Sequence, residues 1–342
     1  MRTALTILAA TAAVASMLVS CSQRTKPSSE DIWIRPSGES GERAVWGHKD
    51  GIQVDIDTEV RTRGLLRIFT PYLGHPDMYI SNYIAMEPVP TGSDNHRGFS
   101  EMEMSSLDGK QGKLLWSSDD DQLTESDKQV PARGVVESRK GKGTLSVYIF
   151  CEPFDNGADV YVRLRFFEDR PYEFELSTFV NKGSVPLDYF IVTATMGNKE
   201  RLRNLYLKDR IVKSGELWPD FTGTDFAHHK YIPADEFLRS SDGKTCWLIA
   251  TSDEEDPASE PCEGFSWWAW KGMKATQYWH FPASYKDAEC LLNGRLTYFR
   301  SSNPLPGGIA YENFEVRSPF HNGDTFCFGI TPQTPEEMIK EL

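Results

Sequence analysis

The residues of this chain best suited to chemistry are a few carboxylates and histidines set among apolar neighbours. In Gly308-Ile309-Ala310-Tyr311-Glu312-Asn313-Phe314, Glu312 shares strand parity with Ala310, Phe314 and Val316. Desolvation raises the pKa of such a carboxyl toward the range a general acid or base needs near neutral pH. The alternative is a buried glutamate satisfied by backbone donors or by an arginine such as Arg295. Glu101 and Glu103 share one face of a short extended run, about 7 Å apart, within the separations used by glycosidase carboxylate pairs; the same spacing is commonplace on the polar side of an amphipathic strand. Glu87, within Ile84-Ala85-Met86-Glu87-Pro88, is a further partly buried carboxyl. The adjacent pair His228-His229 projects to opposite sides of a strand, so the two do not chelate one metal together. One of them remains available for proton transfer, against a reading in which both are ordinary loop residues.

Aromatic residues supply a second signal. Trp218 lies in Leu217-Trp218-Pro219-Asp220-Phe221, Trp267, Trp268 and Trp270 fall within four positions, and Tyr278-Trp279-His280 follows. Flat rings with polar edges stack on the C–H faces of sugars while Asn, Asp and Arg bond the hydroxyls, although aromatic side chains also dominate the cores of β proteins. Trp218, Tyr278 and Trp279 are therefore candidates for substrate contact, with Asn198, Arg97 and Arg203 as polar partners. An elimination reaction on a uronate would need an arginine such as Arg97, Arg201 or Arg203 for the carboxylate. No GxSxG, HExxH, GxGxxG or P-loop pattern occurs, and no CxxC spacing. No cofactor and no metal site is expected. The triple aspartate Asp119–Asp121 lies in the acidic stretch Ser117–Lys128, where successive side chains diverge and converge poorly on a calcium ion.

The elements that must position these residues are strands. Period-two alternation places Ile52, Val54 and Ile56 on one face, and likewise Leu145, Val147 and Ile149, then Val160, Val162, Leu164 and Phe166, then Phe174 and Leu176. Further extended runs are expected at Leu65–Phe69, Tyr189–Thr195, Thr245–Thr251, Gly294–Phe299, Ile309–Val316 and Thr325–Ile330, separated by turn sequences such as Asp155-Asn156-Gly157. Helix is predicted at the C-terminus, where Thr334 caps, Pro335 opens the first turn, and Glu336 and Glu337 complement the dipole; a short turn is expected around Ala234–Arg239. Many antiparallel strands with few helices predict a mainly β, two-layer antiparallel sandwich.

The N-terminus reads as an export signal. Arg2 precedes the charge-free apolar run Ala4–Val19, and Leu18-Val19-Ser20-Cys21 resembles the lipobox of bacterial lipoproteins. That resemblance implies cleavage after residue 20, a lipidated Cys21 with several acyl chains such as palmitate, and an address in the cell envelope, on the periplasmic side or at the outer surface. Ser22–Gly41 is rich in Ser, Pro, Gly and charge and reads as part of a flexible tether spanning 21–45, with 46–342 as one β-sandwich domain. Of six cysteines, five remain after lipidation; a Cys262–Cys290 bridge is one option. The net charge of −13 excludes nucleic acid as a partner, because phosphate binding needs concentrated Lys and Arg, and leaves the lipid anchor as the only expected membrane contact.

The segments Leu65–Pro90, Arg97–Lys113, Thr193–Arg203, Leu217–His229, Ala275–Trp279 and Pro306–Phe314 resemble secreted bacterial proteins of the galactose-mutarotase-like supersandwich group, found in aldose epimerases and in domains of glycoside hydrolases and polysaccharide lyases. The resemblance implies a sheet face that holds a sugar, a late glutamate that takes a hydroxyl proton, and a middle histidine that protonates the ring oxygen. Glu312 is the nearest match to that glutamate, and His228 or His229 to the histidine. The Asn-His-x-Tyr-Phe pattern of the epimerases is absent around His228. The expectation is thus a carbohydrate-active protein using acid/base chemistry, of epimerase, hydrolase or lyase type; the alternatives are a glycan-binding lipoprotein without catalysis and a structural envelope protein with no ligand.

Overall fold

Two antiparallel sheets hold nearly all the regular structure in the computed structural model, which describes residues 32–56, 63–75, 79–93, 96–139, 141–196, 201–252, 275–297, 302 and 304–342. The first sheet runs, in spatial order, Trp33–Ile34, Val45–His48, Gln53–Asp55, Leu65–Phe69, Ile80–Pro90, Leu187–Met196, Ala310–Pro319, Glu289–Arg295 and Lys230–Pro233. The second runs Ile211–Lys213, Asn204–Tyr206, Thr245–Thr251, Thr276–Pro282, Thr325–Thr331, Arg170–Val180, Val160–Phe167, Lys142–Cys151 and Leu115–Ser118, with Leu238–Arg239 and Val135–Arg139 paired at its sides. The mainly β, two-layer architecture read from the alternation is what the chain adopts.

The core follows the same alternation. Leu145, Val147, Ile149, Val162, Leu164, Phe174 and Leu176 from the second sheet are fully buried together with Ile84, Met86, Val192 and Val316 from the first. Full burial of each such aliphatic or aromatic side chain contributes roughly 1.5–3 kcal/mol. The helices are short, at Ser214–Leu217 and Pro335–Glu341; in the latter Thr334 and Glu337 complete a capping box. The turn expected near Ala234 is a 3-10 turn over Ala234–Glu236.

Three expectations shift. Of the strand expected at Gly294–Phe299, residues 298 and 299 lie outside the described residues; the strand found is Glu289–Arg295, where alternation is hidden because Cys290, Leu291 and Leu292 are all buried. Part of the stretch read as a tether already belongs to the sheet, since Trp33 and Ile34 pair with His48 and Gly47, and Trp33 is buried. In the strand Ala310–Pro319, strict parity fails: the register shifts opposite Asn293/Gly294, so Tyr311 and Phe314, three residues apart, both enter the core.

Gly329 marks a close approach within the second sheet. It sits in register between Tyr278 and Glu173. A Cβ on it would lie 2.1 Å from Tyr278 Cζ, so the tyrosine ring occupies the space a side chain would fill. Gly329→Ala is expected to destabilise the fold by about 1–3 kcal/mol, the usual cost of overpacking a filled site. Urea unfolding checks it; an unchanged midpoint would show that the ring moves aside freely.

Candidate functional site

The outward face of the first sheet assembles a cluster from four separate stretches of chain. On the strand Ile80–Pro90, Met86 points into the core, so Glu87 points outward; on Ala310–Pro319, Phe314 and Val316 are core and Glu315 is outward. Glu315 lies in register with Leu291 and Thr193, and Leu291 with Tyr231. His229 immediately precedes the edge strand Lys230–Pro233 and has the parity of Tyr231, whose ring is exposed. The segment after Pro90 turns back along that strand, with Gly98 N–H donating to Pro88 O and Ser100 N–H to Met86 O. This return places Arg97 and Glu101 over the same outward face.

The contacts are tight. The Arg97 guanidinium donates through Nε to Glu87 Oε2 and through Nη2 to Glu315 Oε2 at 2.7 Å. Glu315 Oε1 accepts from His229 Nε2 at 3.3 Å. Glu87 and Glu315 are 1% and 0% exposed, whereas the His229 side chain keeps 32% of its surface in solvent. Oε2 of Glu101 is buried with no hydrogen-bond partner among the described residues. Polar side chains continue the face: Thr195 Oγ1 donates to Asn313 Oδ1 at 2.9 Å, and Asn293 Oδ1 accepts from Asn313 N–H at 3.0 Å.

One guanidinium cannot neutralise three carboxylates, and the cluster resolves the excess by protonation. Burial, with the neighbouring Glu87 and Glu315 charges, pushes Glu101 up to about 8. Burial likewise raises Glu87, to about 7, despite Arg97. Burial also works against ionisation of Glu315, but Arg97 and His229 together outweigh it and hold that carboxyl below its usual range. One ionised carboxylate therefore lies beside two carboxyls that keep protons near neutrality, a division that separates base from acid roles.

Several residues singled out in the sequence lie elsewhere. Glu312 is 4% exposed and faces Arg295, whose Nη1 is 3.7 Å from Oε1. The pairing with Arg295 is the structural role weighed for it above, and Glu315, three residues on, reaches His229 instead. His228 turns its imidazole to solvent and gives its carbonyl to Trp218 Nε1 at 2.8 Å. Glu101 and Glu103 do not share a face, because residues 99–103 form a turn rather than a strand; Glu103 leaves toward Lys113 Nζ at 3.3 Å.

The aromatic candidates are inward. Trp279 is fully buried and donates to Phe314 O at 3.0 Å, bridging the sheets. Trp218 is 8% exposed and packs edge-on against Tyr311, and buried Tyr278 donates to Glu173 Oε2 at 3.0 Å. None of these three rings is presented for stacking. Arg203 is buried and holds the turn at residues 306–309 by donating to the carbonyls of Pro306, Gly308 and Ile309, and Arg201 is fully buried, so neither is placed to hold a uronate. Asp119 accepts from Gly134 N–H and Asp120 from Gln122 N–H, so these two of the three consecutive aspartates brace separate turns. Asn198, Trp267, Trp268, Trp270, Cys262 and the lipidation candidate Cys21 lie outside the described residues.

Sequence reasoning missed Glu315. Flanked by Phe314 and Val316, it reads as the solvent side of an amphipathic strand; Arg97 from the returning 97–101 segment and His229 cover it. No protein-family model matches the chain, and no curated protein or solved structure matches it.

Proposed function

We propose that this protein acts on a carbohydrate by general acid/base chemistry, with the His229–Glu315 pair as the base. The observation behind this reading is the outward-facing cluster in which Arg97 and His229 converge on Glu315 while Glu87 and Glu101 stand beside it. His229, the member of the pair that keeps surface in solvent, accepts a hydroxyl proton from the sugar while buried Glu315 holds its imidazole and balances the charge that forms; Glu101, protonated near neutrality, returns a proton to an oxygen on the substrate. Asn313, Asn293 and Thr195 offer hydrogen bonds to hydroxyls, and Tyr231 an exposed ring on the same face.

Arg97 has two donors already committed to Glu87 and Glu315, and Arg317 is engaged with Glu289 and stacked on Tyr189. That commitment favours a neutral sugar over a uronate, and with it an epimerase or hydrolase over a lyase. The two large antiparallel sheets support, at the level of architecture alone, the likeness to the galactose-mutarotase-like group. The export signal and Cys21 support attachment of the whole to the cell envelope by a lipid, facing extracytoplasmic glycans.

The test is incubation with neutral free sugars and polysaccharides, reading both anomeric exchange and product release. Turnover is expected from the wild-type protein and, within about tenfold, from Glu312→Gln, whose carboxyl is bound to Arg295 rather than to the cluster. Equal loss in Glu312→Gln and Glu315→Gln would move the base back to Glu312. Glycan binding that persists in Glu315→Gln, with no turnover of any sugar by the wild type, would instead make this face a non-catalytic glycan-binding site.

A further inference from the structure

The outward face of the second sheet carries an independent constellation that the sequence scatters over 155 positions. Glu173, Cys327 and His280 come from three neighbouring strands, Arg170–Val180, Thr325–Thr331 and Thr276–Pro282. Cys327 pairs in register with His280 on one side and with Glu175 on the other; Tyr278, Gly329 and Glu173 form the next outward row. Glu173 therefore reaches diagonally toward His280, and its Oε2 lies 3.0 Å from His280 Nε2. The carboxylate, imidazole and thiol donor atoms all lie within 4.8 Å of one another.

We propose that Glu173 Oε2, His280 Nε2 and Cys327 Sγ bind a divalent transition-metal ion of borderline softness, zinc being the type. Tetrahedral zinc holds N and O donors at about 2.0–2.1 Å and sulfur at about 2.3 Å, which separates neighbouring donors by roughly 3.3–3.7 Å. The observed cluster reaches that spacing when its widest donor separation, within 4.8 Å, closes by about 1 Å through side-chain rotation. Mixed S, N and O donors suit zinc or cobalt(II), whereas magnesium and calcium prefer oxygen alone.

The surroundings are arranged for such a load. Arg170 holds Glu173 Oε1 at 2.5 Å and also bonds Cys327, which orients the carboxylate so that Oε2, which accepts from Tyr278 as well, faces the other two donors. Trp247 stacks on the His280 ring at a centroid distance of 4.3 Å and fixes its plane. The absence of a side chain at Gly329 admits the Tyr278 ring, whose hydroxyl bonds Glu173 as an outer support. Glu173 and Cys327 are each buried, while the His280 side chain keeps 14% of its surface in solvent, so an ion enters from the imidazole side. On binding, the S–H proton of Cys327 leaves to solvent as the metal–sulfur bond forms. The thiolate and the carboxylate then balance the charge of the dication, and water completes the coordination.

The experiment titrates the full-length, thiol-reduced protein with cobalt(II) and then zinc(II), without any sugar. Cobalt is expected to give a thiolate-to-metal charge-transfer absorption that saturates at one equivalent, with release of a proton, and zinc to bleach it. Cys327→Ser should abolish the band, and His280→Ala should weaken cobalt binding by about 100-fold or more, since even outer supports are worth about 10–100-fold. Cys21→Ser and Cys262→Ser should leave the band intact. Circular dichroism of each variant separates lost binding from lost folding, and His280→Ala, near the surface, carries the test if Cys327→Ser does not fold. No charge-transfer band, a band that survives Cys327→Ser, or cobalt affinity unchanged in folded His280→Ala overturns the site and leaves Glu173, Tyr278 and His280 as a hydrogen-bond network.

Discussion

Glu315→Gln is expected to lower turnover by about 10²–10⁴-fold, the usual contribution of a positioned acid or base, while leaving the protein folded. The fold survives because the substitution removes one of three carboxyls competing for a single guanidinium. In the wild type Arg97 is shared between Glu87 and Glu315, and burial together with the Glu315 charge helps to keep Glu87 protonated. With an amide at 315, Glu87 ionises more readily and balances Arg97 alone. The near-isosteric amide can still lie against both Arg97 and His229. The loss should therefore fall on kcat, with KM little changed, because the hydroxyl contacts from Asn313, Asn293 and Thr195 remain. A second readout distinguishes this from a packing effect. The titration of Glu87, followed by carboxyl NMR or infrared difference spectra, should move below its wild-type position near 7. Wild-type turnover in Glu315→Gln with Glu87 unmoved would remove Glu315 from both the chemistry and the charge balance.

The fold was legible in the sequence for a simple reason. A strand buried on one face must alternate, and runs such as Leu145–Ile149 and Val160–Phe166 do so without interruption, so their inward sets could be named in advance. Legibility failed where that condition fails. The strand Glu289–Arg295 is covered on both faces, and its Cys290-Leu291-Leu292 has no period to read. The site was legible in its parts but not in its assembly. Arg97, Glu101, Glu87 and His229 stand out as charged or titratable groups beside apolar runs. Nothing local announces that the 97–101 segment folds back over the outward face, and that return, with His229 on the other side, covers Glu315, through a contact spanning 218 residues. The tryptophans failed in the opposite sense. A ring in a strand looks the same in sequence whether it faces a ligand or the opposite sheet, and the bond from Trp279 to Phe314 O records the second outcome. The misplacement of Glu312 has a third cause, since a register shift beside Asn293 and Gly294 breaks the parity by which its neighbours were assigned.

Removing the cation tests the cluster more severely. Arg97→Met is expected to destabilise the protein by about 3–5 kcal/mol at pH 8, the cost of breaking a buried ion pair and stranding its charges, but by much less at pH 5. The pH dependence follows from the proton count. Glu87 and Glu101 have folded pKa values of about 7 and about 8 against 4.5 for the free side chain, so between those limits the folded protein binds more protons than the unfolded chain. Stability from these two groups is complete below about pH 4.5 and is lost as the pH rises through about 7 and 8. Glu315, held below its ordinary value, has the opposite sign: its contribution is present at neutral pH and is lost on acidification. Without Arg97 the principal cause of that depression disappears, burial dominates, and Glu315 joins the other two in preferring a proton. At pH 5 all three carboxyls can be neutral and the missing cation costs little; at pH 8 the fold must either bury uncompensated charge or hold protons against the solvent. Urea midpoints of wild type and Arg97→Met at several values between pH 5 and 8.5 should therefore diverge steadily, the variant falling faster. Parallel curves, with an equal loss at pH 5 and pH 8, would mean that Arg97 serves this face through packing of its side chain alone and that the three glutamates are not competing for its charge.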